Sequence, residues 1–136
     1  MSGQFQFELV SPEKLIASKA VAMVTVPGGE GDYGVLPGHA PLITTVRPGV
    51  IEVFEQSEST ATDRIFVAGG FAEVTTERCT VLAEEAIPVA QLDRAKIELE
   101  SKSLHDEMAL AKTDAEKASF ESQLAIVKAK LQAISQ

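Results

Sequence analysis

Tryptophan is absent from this 136-residue chain, and tyrosine and cysteine occur once each. The lone cysteine, Cys79, excludes an intrachain disulfide and fits a reducing compartment. Only two histidines are present, His39 and His105. They share no ligand spacing with Cys79, so neither a zinc centre nor a Cys–His nucleophile is assembled. No apolar run approaches the ~18–20 residues of a membrane span. The first residues, Met1-Ser-Gly-Gln-Phe-Gln-Phe-Glu8, lack the basic start and apolar core of a signal peptide, so a cytoplasmic protein is expected. Positive charge is scarce too: 12 basic side chains face 20 acidic ones, a net charge of −8 that repels nucleic acid and anionic lipid. Paired acids such as Glu84-Glu85 adjoin a strand end and read as solvated surface. No Ser-His-Asp or two-carboxylate constellation follows from spacing, so no catalytic residue, metal or cofactor is assigned. On a strand, Cys79 reads as a small buried hydrophobe.

What the chain does have is a segment of concentrated turn chemistry, Pro27-Gly-Gly-Glu-Gly-Asp-Tyr-Gly-Val-Leu-Pro-Gly-His-Ala-Pro-Leu42. It holds five of the nine glycines and three of the six prolines. Glycine permits positive φ and proline fixes φ near −65°, so the segment predicts a series of tight turns around a short extended piece, Val35-Leu36. A backbone specified at this density usually serves a purpose beyond connection. Phosphate binding is disfavoured, because a phosphate loop needs a helix after its glycines and, in the Walker form, a Lys-Ser/Thr pair. Here Glu30 and Asp32 sit among the glycines and another turn follows.

Composition divides the chain near Pro88. No glycine occurs after Gly70, and residues 1–86 carry 5 basic and 12 acidic side chains against 7 and 8 in residues 87–136. The first part predicts short strands. Gln4–Val10 alternates with Phe5, Phe7 and Leu9 on one face, and Ala20–Val26 is a β-branched run closed by Pro27. Further strands are expected over Leu42–Val46, Val50–Glu55, Arg64–Ala68, Phe71–Thr75 and Cys79–Ala83, with Gln56–Asp63 as an exposed hairpin tip. This spacing points to a β-sandwich or barrel. The second part predicts two helices. Leu92, Ala95 and Leu99 give one apolar face, continued one register along by Leu104, Met108 and Ala111. Thr113-Asp-Ala-Glu116 matches a capping box, and Phe120, Leu124, Val127, Leu131 and Ile134 form a heptad seam. A short loop near Lys112–Asp114 makes the helices antiparallel. The expectation is an all-β N-terminal sandwich, residues 1–87, followed by a two-helix antiparallel hairpin, residues 88–136.

The turn-rich segment, Val26-Pro-Gly-x-Glu-Gly-x-x-Gly-Val-Leu-Pro-Gly-His-Ala-Pro-Leu42, closely resembles the signature of the epsilon subunit of bacterial F-type ATP synthase (delta in mitochondria). Val10-Ser-Pro-Glu13, Arg47-Pro-Gly49, Val67-Ala-Gly-Gly-Phe-Ala-Glu-Val74 and Val81-Leu-Ala-Glu-x-Ala86 match further segments in the same order. Leu92-Asp93 opens the helical part as in that family. The resemblance covers essentially the whole chain and implies the same fold, sandwich then helix-loop-helix.

The resemblance also implies a role: a non-catalytic rotor part of the central stalk, peripheral on the cytoplasmic face of the bacterial inner membrane. It would couple rotation of the proton-driven c-ring, through the gamma subunit, to catalytic sites on other chains. The family's acidic residue and histidine facing the c-ring correspond to Asp32 and His39, with Glu30 nearby. Exposed apolar residues near Leu36, Pro37, Leu42 and Phe71 would mark the gamma contact. The arm carries two family functions. In one it extends along gamma and restrains hydrolysis, its basic residues Lys117, Lys128 and Lys130 meeting the alpha/beta catalytic head. In the other it senses ATP through an Ile/Leu-Asp-x-x-Arg-Ala motif, matching Asp93 and Lys96. Lys96 stands where that motif has arginine and lacks its planar fork, which weighs against nucleotide binding. Two other readings remain: a nucleotide-sensing ligand-binding module, and a free adaptor dimerising through the Phe120–Ile134 seam.

Overall fold

The computed structural model describes residues 3–135. The chain divides into two compact units, Met1–Pro88 and Val89–Gln136.

The first unit is a sandwich of two five-stranded sheets. One contains β1 (Phe5–Val10), β2 (Leu15–Val21), β5 (Leu42–Thr45), β8 (Phe71–Val74) and β9 (Arg78–Leu82), in the order β2-β1-β9-β8-β5. The other contains β3 (Met23–Gly28), β4 (Gly31–Val35), β6 (Gly49–Phe54), β7 (Asp63–Ala68) and β10 (Glu85–Pro88), in the order β10-β7-β6-β3-β4. Strands β1 and β9 pair in parallel, and the other ladders are antiparallel. Alternation along β1 turns Phe5, Phe7 and Leu9 inward, as the pattern predicts. They meet Val24, Val26, Ile51, Val53, Val67, Val74, Cys79 and Val81 in one core.

Three strand expectations need correction. The run Ala20–Val26 is not one strand: the chain bends at Ala22 and passes from the first sheet to the second. Val21 and Ala22 are both buried, which breaks the alternation; because the run is apolar on both phases, the sequence hides the switch. Pro27 does not close its strand. Pairing of β3 with β6 extends only over Met23–Thr25, so Pro27 lies beyond that ladder, where its missing N–H is tolerated. The turn-rich segment is therefore half hairpin, β3–β4, with Gly28 opposite Gly31 and a loop of Gly29-Glu30. Its extended piece is Gly31–Val35 rather than Val35-Leu36. Strands β2 and β10 were not anticipated. The Gly69-Gly70 pair, at φ +74° and +94°, carries the chain from β7 in one sheet to β8 in the other.

The second unit holds α1 (Arg94–Ala109) and α2 (Asp114–Ser135). Asp93 caps α1, its side chain accepting the Lys96 N–H at 3.3 Å. Thr113 Oγ1 accepts the Glu116 N–H at 3.1 Å, and the Glu116 carboxylate reaches back to the Thr113 hydroxyl at 3.3 Å. The predicted α2 seam is the observed one, with Val127 buried among Phe120, Leu124, Leu131 and Ile134. The α1 face differs from expectation. Leu104 is buried as expected, but Leu99 is exposed, and Ile97, seven residues before Leu104, is buried instead. Leu92 precedes the cap at Asp93, so its register does not continue into the helix. Arg94 Nη2 donates to Ser135 Oγ at 3.1 Å, joining the start of α1 to the end of α2 as an antiparallel pair requires.

Candidate docking surfaces

Strand β4 is the edge of its sheet, and β6 pairs only with Met23–Thr25 of β3. The tip half of the hairpin leans instead on the segment Thr45–Arg47. Gly29 N donates to Thr45 O at 3.0 Å, Arg47 N donates to Pro27 O at 2.9 Å, and Gly28 bridges Val46. The approach is so close at Gly29 that an added Cβ would lie 2.2 Å from Thr45 Oγ1. Any side chain there would require Thr45 to rotate its hydroxyl away.

Glu30, at the loop, is exposed. Asp32 is paired with Arg47 Nη2, and Arg47 Nη1 donates to Gly28 O. The Asp32 side chain nevertheless remains 71% exposed. Between the hairpin and β5 runs a cleft of about 380 Å³, lined by Gly28–Tyr33 and Ile43–Thr45. The Tyr33 hydroxyl and Thr44 Oγ1 meet across it at 2.6 Å. Burial pushes the Tyr33 phenol up despite the opposing hydrogen bond from Thr44, so it stays neutral at physiological pH. The cleft offers carboxylates and backbone dipoles, a chemistry suited to a cation. Among the described residues, no group of three or more His, Cys, Asp or Glu is arranged to hold a metal.

His39 is held by a different turn from Glu30 and Asp32. It lies four residues past the end of β4, whereas Asp32 lies near its start. Its Nδ1 is 2.6 Å from the Ala40 carbonyl oxygen and its N–H donates to Leu36 O at 3.1 Å. Gly38 N donates to Thr76 O at 3.0 Å, tying this turn to the β8–β9 connection.

The apolar residues Leu36, Pro37, Leu42 and Phe71 are all exposed. They do not form one patch along β5 and β8. Leu42 lies opposite Val74, while Phe71 lies opposite Thr45 at the other end of the ladder. Phe71 belongs instead to a row that crosses four strands. It faces Leu82, which pairs with Val10, which pairs with Leu15. Phe71, Leu82 and Leu15 are 49%, 42% and 58% exposed, too much for core residues. A depression of about 490 Å³ lies along the row, with Ser11, Pro12 and Gly70 among its lining. Sequence reasoning misses Val10 and Leu82 because each runs on from its strand's inward set. The available signal is their phase: in β1 and β9 they occupy outward positions, where a solvated sheet carries polar residues.

In the arm, Lys117 and Lys128 are exposed and Lys130 is half-buried. Eleven residues bring Lys117 and Lys128 to one face, about 16 Å apart, and place Lys130 on another. Starting at Asp114, α2 also includes Glu116 and Glu121, so its three lysines are balanced by three acids. An excess of positive charge is thus confined to its C-terminal half. Asp93 is committed to the α1 cap through the Lys96 backbone N–H, a contact that does not engage the Lys96 side chain.

No described helix is long and apolar enough to cross a membrane. Residues 4–89 match the family described as "ATP synthase, Delta/Epsilon chain, beta-sandwich domain". Residues 93–136 match a second family model, that of the C-terminal domain of the ATP synthase epsilon subunit. The ATP synthase epsilon chain of Rhodospirillum centenum is 51% identical over 138 aligned residues, covering 99% of this chain and 94% of that one. A subunit of the Euglena gracilis mitochondrial ATP synthase OSCP/F1/c-ring structure superposes with a TM-score of 0.84 at 25% identity, over 100% of this chain and 84% of that one. A subunit of the Tetrahymena thermophila mitochondrial ATP synthase central stalk/c-ring structure shares the fold, with a TM-score of 0.66 at 15% identity and 96% of each covered. By these matches, over both of its units, the chain belongs to the ATP synthase epsilon chain family.

Proposed function

We propose that this protein is a non-catalytic rotor subunit, peripheral on the cytoplasmic face of the bacterial inner membrane, that links the c-ring to gamma in a proton-translocating ATP synthase. The observation that carries the reading is the presence of two unlike surfaces on one sandwich. One is the acidic tip, Glu30 and Asp32, on the edge hairpin of the second sheet. The other is the exposed apolar row Phe71–Leu82–Val10–Leu15 on the first. A rigid acidic tip meets a basic ring loop with little ordering entropy. An apolar sheet face suits gamma, a protein surface held for the life of the complex. His39 contributes to the ring contact through the neighbouring turn. Leu36, Pro37 and Leu42 extend the apolar contact beyond the row.

The helical unit acts as a brake on hydrolysis, with Lys117, Lys128 and Lys130 directed to acidic segments of the alpha/beta head. A nucleotide-sensing role finds less support, since Asp93 already serves as a helix cap.

Cysteine crosslinking in the intact complex tests the two surfaces separately. Asp32→Cys is expected to form a disulfide with a cysteine in the c-subunit polar loop, and Leu82→Cys with one on gamma. Repeated failure of the first removes the ring contact; failure of the second removes the gamma contact.

A further inference from the structure

We infer that Arg47 is the positioning residue of the acidic tip, presetting the Asp32 carboxylate for the cationic side chain that it meets. The inference rests on the ring-contact reading of Glu30 and Asp32.

Two nitrogens of one guanidinium reach the two strands of the hairpin. Nη1 donates to the Gly28 carbonyl on β3, and Nη2 holds Oδ1 of Asp32 on β4. The arginine thus staples the hairpin across its mouth. Its own backbone is fixed. Arg47 N donates to Pro27 O at 2.9 Å and Val46 N donates to Gly70 O at 3.1 Å. Pro48 restricts the residue before it, and Gly49 lies against Pro27, whose Cβ would be 2.8 Å from an added Cβ. A fixed backbone and a planar fork leave the side chain few alternatives.

The contact is not there for stability. Side chains 42% and 71% exposed form a pair that contributes little to folding. What it does set is direction. With Oδ1 taken by Arg47, Oδ2 remains for an incoming cation, and the carboxylate need not be ordered on docking. Lysine at position 47 would keep the charge but could not bridge both strands with a rigid fork.

The test uses the full-length protein with Arg47→Lys or Arg47→Gln, and two readouts. The first is amide hydrogen exchange by NMR in the isolated subunit. Both variants are expected to exchange about tenfold faster at Gly29, whose N–H donates to Thr45 O beside the stapled Gly28 carbonyl, with Val24 and Val53 unchanged. The second is disulfide yield between Glu30→Cys and a cysteine in the c-ring loop of the assembled synthase, which falls severalfold in both variants at unchanged melting temperature. Unchanged exchange at the tip, or equal acceleration throughout the sandwich, overturns the positioning role. Full rescue of the tip by lysine overturns the fork argument that carries it. If Glu30→Cys fails to crosslink while Arg47 is intact, the ring-contact reading is at fault, and the exchange result still judges the staple.

Discussion

Cys79 lies on β9 with no exposed surface, and burial pushes its thiol up to about 12. Its thiolate fraction at neutral pH is therefore negligible, and access is closed as well. A thiol reagent is expected to leave the native protein unlabelled and to modify one cysteine per molecule in guanidinium chloride; labelling of the native state at the rate of a free thiol would refute the buried placement. Lys19 shows the opposite balance. Burial lowers its pKa, but hydrogen bonds to Asp63 and Glu55, with the charges of both acids, outweigh this and raise it above 10.5. A raised folded-state pKa stabilises fully below the unfolded value and loses that contribution as pH rises through the folded one. The stability gap between wild type and Lys19→Gln is thus constant from neutral pH to about 10.5 and shrinks above it. Urea midpoints across that range measure it, and a gap that widens with alkalinity contradicts the assignment. Since Lys19 bridges from β2 to acids at the ends of β6 and β7, it fastens the two sheets at one end of the sandwich.

At the scale of elements, the α2 cap gives the most local prediction. Thr113 Oγ1 satisfies one of the helix's free N–H groups, so Thr113→Ala should cost about 1 kcal/mol, seen as a lower melting temperature for the helical unit by circular dichroism. Thr113→Ser should restore most of it. This cap and the Phe120–Ile134 seam were legible in the sequence because they are local: a capping box spans four residues and a heptad repeats within one helix. The strands β1 and β9 were legible for the same reason, each alternating up to a final apolar pair, Leu9-Val10 and Val81-Leu82. What the sequence concealed was set by tertiary pairing. Nothing local marks Ala22 as the point where the chain leaves one sheet for the other, since Val21, Ala22, Met23 and Val24 are all apolar. Nor does it show that Pro27 has no β6 neighbour, which alone makes it acceptable inside β3. The apolar row was likewise invisible as a unit. Phe71, Leu82, Val10 and Leu15 come from four strands, and only the register of three ladders aligns them. At the tip, Glu30 and Asp32 could be selected from the motif, whereas Arg47 could not, because the contact spans fifteen residues.

For the molecule as a whole, one hydrophobic cluster is built within the sandwich, from Phe5 to Ala83 with Ala86 packed against it, and another within the helical unit, from Leu92 to Ile134. Both surfaces assigned to the rotor, the tip and the apolar row, are built from the sandwich alone. Removal of residues 89–136 should therefore leave a folded domain that assembles, keeps the ring contact and transmits torque. Pro88 pairs with Ile65 in the β10–β7 ladder, so a cut after Pro88 preserves that edge better than a cut before it. If the arm is the brake, complexes with the shortened subunit will hydrolyse ATP severalfold faster than wild type, while proton-driven synthesis stays near its normal rate. Unchanged hydrolysis would remove the brake and leave the arm a different purpose. Loss of synthesis together with loss of the Asp32→Cys crosslink would instead mean that the sandwich cannot hold its place on the ring without the arm. The charge arrangement on α2 refines the same experiment. Lys117 sits among Asp114, Glu116 and Glu121, whereas Lys128 and Lys130 stand beyond the last of these acids. A brake that works through basic residues should therefore depend on the C-terminal half of α2. Replacing Lys128 and Lys130 with glutamine in the full-length protein should reproduce most of the hydrolysis gained by truncation, with Lys117→Gln reproducing little.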